Sequence, residues 1–245
     1  MTATSLEVSG LSISFGGLKA VADLSLTVPA RGLYGLIGPN GAGKTTVFNL
    51  ISGALRPDRG DILLAGKPLG RLRPHQIARL GVSRTFQLAR TLHDLTVVEN
   101  VVLHARTGVL DVLRASVRPA ERERAMAMLE RVGLARHADA PAGGLSYGQK
   151  KLLELAAALM PEPRLILLDE PAAGVNPALL DAIVGYIEDV NRSGVTFLIV
   201  EHNMDLVMSL CDPIIVMAHG TVLAHGPRDE IQRDPRVLEA YLGAA

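Results

Sequence analysis

The sequence predicts an α/β fold with a mostly parallel sheet, an antiparallel β segment at its N-terminal side, and a helical lobe inserted into the middle. Three observations predict it. The apolar run Leu33–Ile37 leads straight into a glycine-rich loop and then a helical pattern. The short runs 164–169, 195–200 and 213–217 are apolar throughout, as strands are when a parallel sheet is covered on both faces. A helical pattern at 178–191 separates the first two and makes a β-α-β unit.

Taken in order, residues 4–14 (TSLEVSGLSIS) and 24–28 alternate apolar and polar positions, as half-buried strands do. The strand 33–37 ends at Gly38, and a helix is expected from Gly43 or Lys44. Residues 61–64 read as a further short strand after a turn at Pro57–Gly60. From about residue 72 the character changes. Segments 74–80, 97–105 and 120–133 carry helical spacing (Met126, Leu129, Val132) and are joined through Gly108, Pro119 and Gly133. Residues 88–160 are therefore expected to form the helical lobe, with 1–87 and 161–245 as the core of one domain. Within the lobe, "GGLSYGQKKLLELA" (143–156) is a glycine loop turning into a helix, a second arrangement suited to an anion. The tail "HGTVLAHGPRDEI" suggests a strand pair and a short helix.

Composition excludes several classes of function. The chain has 245 residues, 48% of them hydrophobic, enough for a substantial core. Its single cysteine, Cys211, allows no internal disulfide and fits a reducing compartment. The segment MTATSLEVSG lacks the basic and apolar regions of a signal peptide, and no apolar run approaches the ~20 residues of a membrane span. If the protein works at a membrane, other chains do the spanning. Formal net charge is zero but unevenly spread. Residues 56–136 hold 15 Lys and Arg against 8 Asp and Glu, and residues 137–245 hold 7 against 15, balances of +7 and −8. Such asymmetry marks either a partner-facing lobe or Arg-rich solvated helix faces. With no run of basic residues and 3% aromatics, nucleic acid is not an expected partner.

Two segments carry chemistry. Gly38-Pro39-Asn40-Gly41-Ala42-Gly43-Lys44-Thr45-Thr46 fits G-x-x-x-x-G-K-[ST] between a strand and a helix. Its glycines let backbone N–H groups converge on phosphates, Lys44 adds a mobile cation, Thr45 offers a hydroxyl to Mg²⁺, and the helix N-terminus adds partial positive charge. This predicts a phosphate-loop (P-loop) NTPase core. The second segment, Leu165–Glu170, is an apolar strand ending in two carboxylates at the sheet edge. Asp169 is placed to hold Mg²⁺ through water. Glu170 is placed to orient the attacking water or take its proton.

Together these residues resemble the ATP-binding cassette family, the ATPase subunits of ABC transporters, from about residue 6 to the C-terminus. On that resemblance Gly38–Thr46 is similar to Walker A, and Leu165–Asp169 to Walker B with Glu170 as the catalytic glutamate. Leu145-Ser146-Tyr147-Gly148-Gln149 resembles the signature LSGGQ, with Tyr147 in place of its first glycine. Gln87 in "RTFQ" resembles the Q-loop glutamine, which senses the γ-phosphate or Mg²⁺. His202 in "IVEHNM" resembles the switch histidine that contacts the γ-phosphate. Phe15 resembles the aromatic that stacks on adenine. "AAGVNP" (172–177) matches the D-loop, with Asn176 where many members have Asp. The remaining histidines show no metal-ligand spacing and read as surface residues. In the family two cassettes face each other head to tail. ATP held by one chain's Walker A is closed over by Leu145, Ser146, Gly148 and Gln149 of the other, so ATP joins the pair and hydrolysis releases it.

Finer features, "VFNLISGALRPDRGDI", "LDEPAAGVNP", "VEHNMDLVMSLCD" and "LEAYLGAA", resemble the ATPase subunits of branched-chain amino acid importers. The resemblance implies permease chains, a second ATPase subunit (the same chain or a related one), a solute-binding protein acting indirectly, and a cytoplasmic location on the inner face of the membrane. Three other readings stay open: an importer of urea or amides, an ATPase of lipopolysaccharide-export type, and a non-transporting cassette of iron–sulfur assembly type. A phosphate-loop kinase or GTPase is disfavoured by the signature loop, by Glu170, and by the absence of an NKxD-type guanine reader.

Overall fold

The computed structural model describes residues 4–85, 91–105 and 117–242. Strands β1 (Thr4–Phe15), β2 (Leu18–Pro29), β4 (Arg59–Leu64) and β5 (Lys67–Pro68) form an antiparallel sheet in the order β2-β1-β4-β5. A second sheet has the order β10-β9-β3-β8-β7-β6. It uses β3 (Leu33–Ile37), β6 (Val82–Arg84), β7 (Leu165–Asp169), β8 (Thr196–Val200), β9 (Ile214–Ala218) and β10 (Thr221–Gly226). All its pairings are parallel except β9 with β10.

The apolar strands are apolar because both faces are covered, and the period of two divides them between two cores. Leu165, Leu167, Leu198, Val200, Ile215 and Met217 point into one core, shared with the antiparallel sheet and helix α1 (Lys44–Ile51). Ile166, Leu168, Phe197, Ile199, Ile214 and Val216 point into the other. That second core also takes α3 (Val97–Ala105), α4 (Pro119–Arg131), α5 (Tyr147–Leu159) and α6 (Pro177–Arg192). The helices between β6 and β7 pack on one another through Val97, Val101, Ala125, Leu129, Leu153 and Ala156, each at most 2% exposed. Among the described residues no helix is long and apolar enough to cross a membrane.

Three expectations need correction. Strand β2 begins at Leu18 rather than 24, because its first residues are mostly exposed and show no alternation. Strand β6 has three residues, too few for a periodic signal, yet it pairs with β7 from Val82 to Arg84. The tail contributes one strand, β10, whose partner is β9, followed by α7 (Arg228–Ile231) and α8 (Pro235–Leu242). Asp169 ends β7, between β6 and β8, at the carboxyl edge of the sheet as expected.

Asn176 shows why Asp is not needed at its position. It is the N-cap of α6, its Oδ1 accepting from the Leu179 N–H at 2.9 Å, with Pro177 in the first turn. Asn caps as well as Asp does. Asn176→Ala is expected to lower stability by about 1 kcal/mol, read as a lower urea midpoint with an unchanged slope.

Candidate active site

The glycine loop is shaped by close backbone approach. A Cβ at Gly38 would lie 2.1 Å from the Met217 carbonyl oxygen, and one at Gly43 would lie 2.5 Å from that of Ala20. Gly41 has open space around it, but its φ of 79° favours glycine. Lys44 is buried, and its Nζ donates to the Gly38 and Pro39 carbonyls at 2.6 and 3.0 Å. Burial pushes the Lys44 ammonium below its ordinary pKa, while the charges of Glu170 and Asp169 act to raise it. Both carboxylates therefore act on the loop lysine. Gly43 caps α1 without a side-chain hydrogen bond, which suits the helix start to an external anion. Next to the loop lies a cleft of about 430 Å³. Leu18, Lys19, Ala20, residues 40–46, Glu170, His202 and His219 line it.

The acidic wall is held from several sides. Glu170 has φ of 50°, in the left-handed region that a non-glycine residue adopts at a cost on the order of 1–3 kcal/mol. Its N–H donates to the Val200 carbonyl at 2.8 Å and its carbonyl accepts from Lys151 Nζ at 3.3 Å. Its Oε1 lies 2.9 Å from His202 Nε2. Since a carboxylate only accepts, Nε2 carries the proton in that contact. Glu201, 3% exposed, accepts from the backbone N–H groups of Ala172, His202 and Asn203 at 2.7, 2.8 and 3.1 Å. It thereby fixes the backbone of His202 to the segment that follows Glu170. Asp169 Oδ2 lies 3.0 Å from Arg84 Nη2. The Thr45 hydroxyl and the Asp169 carboxylate are hard oxygen donors, the chemistry Mg²⁺ prefers, and the cleft has polar walls for a nucleoside triphosphate.

The signature segment is built differently. Leu145 is buried and anchors it in the second core, while Ser146 is exposed. Ser146 caps α5. Its Oγ accepts from the Gln149 N–H at 3.3 Å, and its own N–H donates to Gln149 Oε1 at 2.9 Å. This is a capping box. A Cβ at Gly148 would meet Leu179 Cδ2 at 2.0 Å, so a side chain there would force the Leu179 side chain to move. Tyr147 leans the other way. Its hydroxyl donates to the Ala173 carbonyl at 3.1 Å and its ring lies against Gly174. None of residues 145–149 is among those lining the cleft.

A family model described as "ABC transporter" matches residues 21–173. The chain belongs to the ATP-binding cassette family of ABC transporters. A second model, described as "Branched-chain amino acid ATP-binding cassette transporter", matches residues 221–245 of the cassette. It is 43% identical to the high-affinity branched-chain amino acid transport ATP-binding protein LivG of Salmonella typhimurium over 98% of both chains. Against BraF of Pseudomonas aeruginosa, described in the same words, identity is 44% over 98% of both chains. A nucleotide-free ATP-binding cassette from an ABC transporter superposes with a TM-score of 0.89 at 34% identity, over 97% of this chain and 98% of that one. A cassette of an ABC transporter in its ADP conformation superposes with the same score at 33% identity, over 98% and 99%. The cassette is thus an ABC ATPase of the α/β class, and ABC ATPases work with transmembrane permease components.

The structure brings Gly38, Asn40, Gly41, Ala42, Gly43, Lys44, Thr45, Thr46, Asp169, Glu170 and His202 of the cassette to one place. Phe15 stands half-exposed at the end of β1, paired across the strands with Leu18, which lines the cleft. Gln87 lies outside the described residues. Sequence reasoning missed Arg84, Lys151, Glu201 and His219 as parts of the site. His219 reaches the cleft through a turn with φ of 50°, held where Gly220 donates to Ala42 and accepts from Ala22. Those are contacts between distant segments, for which the local sequence carries no signal.

Proposed function

We propose that the cassette is the motor of an importer for branched-chain or similar hydrophobic amino acids. The observation carrying this reading is the match of residues 221–245 to the branched-chain amino acid cassette model. The likeness to LivG and BraF along nearly the whole chain supports it. Residues 1–87 and 161–245 would be the nucleotide-binding core and 88–160 the helical lobe. The subunit would lie peripherally on the cytoplasmic face, paired with a second cassette and seated on two permeases that a solute-binding protein feeds.

In this reading the phosphates of ATP enter the loop 38–46, and Lys44 exchanges the Gly38 and Pro39 carbonyls for phosphate oxygens. Thr45 and Asp169, with Gln87, hold Mg²⁺, which supplies charge neutralisation of the β- and γ-phosphates. Glu170 takes the proton of the attacking water. His202 donates through Nε2 and orients Glu170 or the γ-phosphate. Phe15 and Leu18 face the base. Ser146, Gly148 and Gln149 close over the γ-phosphate of the facing subunit, with Leu145 anchoring their loop. A groove of about 370 Å³ offers a seat for a permease helix. Ile77, Ala78, Val82, His104, Ala158 and Pro161 are among the residues lining it.

The test is the reconstituted complex, assayed for solute-stimulated ATPase across amino acids, urea and amides. Leucine, isoleucine or valine is expected to raise turnover several-fold. Stimulation by urea alone, or ATPase with no permease dependence, would overturn the substrate assignment.

A further inference from the structure

We infer that Arg84 is a positioning residue for Asp169 and that it acts from the wall of the groove described above. Arg84 ends the short strand β6. Its Nη2 lies 3.0 Å from Asp169 Oδ2, and the two side chains are 8% and 6% exposed. Its Nη1 donates to Asn49 Oδ1 at 2.6 Å and to Ser52 Oγ at 3.2 Å, both at the end of the helix that begins at Lys44. The guanidinium carbon lies 5.7 Å from the centre of the Phe48 ring. The fork is therefore held by α1 and, through it, holds one oxygen of Asp169. A carboxylate with one oxygen committed cannot turn freely, and its charge acts on Lys44.

Partners behind a metal ligand set its orientation and commonly change metal affinity by about 10–100-fold. A lysine cannot replace this arginine, because a single ammonium does not bridge Asn49 and Asp169 as a planar fork does. Arg84 also lines the groove between α1, α2 (Pro74–Arg79), β6, α3 and the end of α5. A segment seated in that groove touches the side chain that orients Asp169. The inference rests on the proposed role of Asp169 toward Mg²⁺ but not on which solute is transported.

The experiment uses the isolated full-length subunit with ATP and Mn²⁺ as the probe, Mn²⁺ binding being followed by electron paramagnetic resonance. Metal-free binding of a fluorescent ATP analogue is measured in EDTA. Arg84→Met is expected to weaken Mn²⁺ binding at least ~10-fold, with metal-free nucleotide affinity within about twofold of wild type. Arg84→Lys is expected to fall between the two. Unchanged Mn²⁺ affinity in folded Arg84→Met, or an equal loss in EDTA, overturns the inference. If Arg84→Met fails to fold because it leaves Asp169 buried without that cation, Asn49→Ala and Arg84→Lys decide. Both are expected to weaken Mn²⁺ binding, and no change in either overturns the inference. Asp169→Asn is the control. If it too leaves Mn²⁺ binding unchanged, the role of Asp169 falls, which is a different failure from that of Arg84.

Discussion

Glu170→Gln is expected to bind ATP with near wild-type affinity, to lose hydrolysis by about 10²-fold or more, and to accumulate as an ATP-bound dimer. The size of the effect follows from what the substitution removes. Gln keeps the volume of Glu, and the backbone bonds that fix residue 170, to Val200 and from Lys151, do not involve the carboxylate. The left-handed backbone is the same for both side chains. An amide oxygen still accepts from His202 Nε2, so the wall keeps its shape. What is lost is the group proposed to take a proton from water. On the proposed mechanism binding and closure depend on Lys44, the loop and the facing signature, and they are expected to persist. Phosphate release under single-turnover conditions, with size-exclusion chromatography in ATP, reads both halves of the expectation. Turnover near the wild-type rate would show that Glu170 is not the base. Loss of ATP binding would show that it belongs to the cradle instead.

What the sequence disclosed and what it withheld divide along a physical line. The loop 38–46 and the strand ending at Asp169 are contiguous, and each carries its chemistry in its own residue types. A strand buried on both faces is apolar along nearly its whole length, so β7, β8 and β9 stood out without an alternating pattern. The helices between β6 and β7 likewise showed their buried stripes. Strand β6 was invisible because three residues hold no period, and its place is fixed by pairing with β7, 83 positions away at Val82 and Leu165. The contacts of Arg84 with Asp169 and of Lys151 with Glu170 were invisible for the same reason: each joins segments that only the fold brings together. Tyr147 is instructive in another way. By sequence it is a departure from the signature pattern. In the fold its hydroxyl and ring tie the start of α5 to Ala173 and Gly174, in the segment just beyond Glu170. The departure adds a contact within the chain and leaves Ser146 exposed.

Ser146→Arg is expected to leave ATP binding by the monomer intact, within about twofold, and to abolish ATP-driven dimerisation together with hydrolysis. Ser146 is exposed at the N-terminus of α5 and is not among the residues lining its own chain's cleft. Monomer binding therefore has no use for it. A long cation at this position fills the space a facing nucleotide would occupy. Arg also removes the Ser146 cap and places positive charge at the positive end of a helix, which together cost about 1–2 kcal/mol. A dimerisation defect from that variant alone would be ambiguous between lost contact and a loosened loop. Ser146→Asp separates the two. Asp caps as well as Ser, and its negative charge favours the helix start, so α5 keeps or gains stability. The same charge repels the γ-phosphate of a nucleotide held by the facing subunit. Asp is therefore expected to block dimerisation as completely as Arg while unfolding at an equal or higher urea concentration than wild type. If Ser146→Asp dimerises normally, the loop is not the half-site of a facing subunit. If folded Ser146→Arg loses monomer binding, Ser146 serves the nucleotide of its own chain, and the head-to-tail arrangement is wrong.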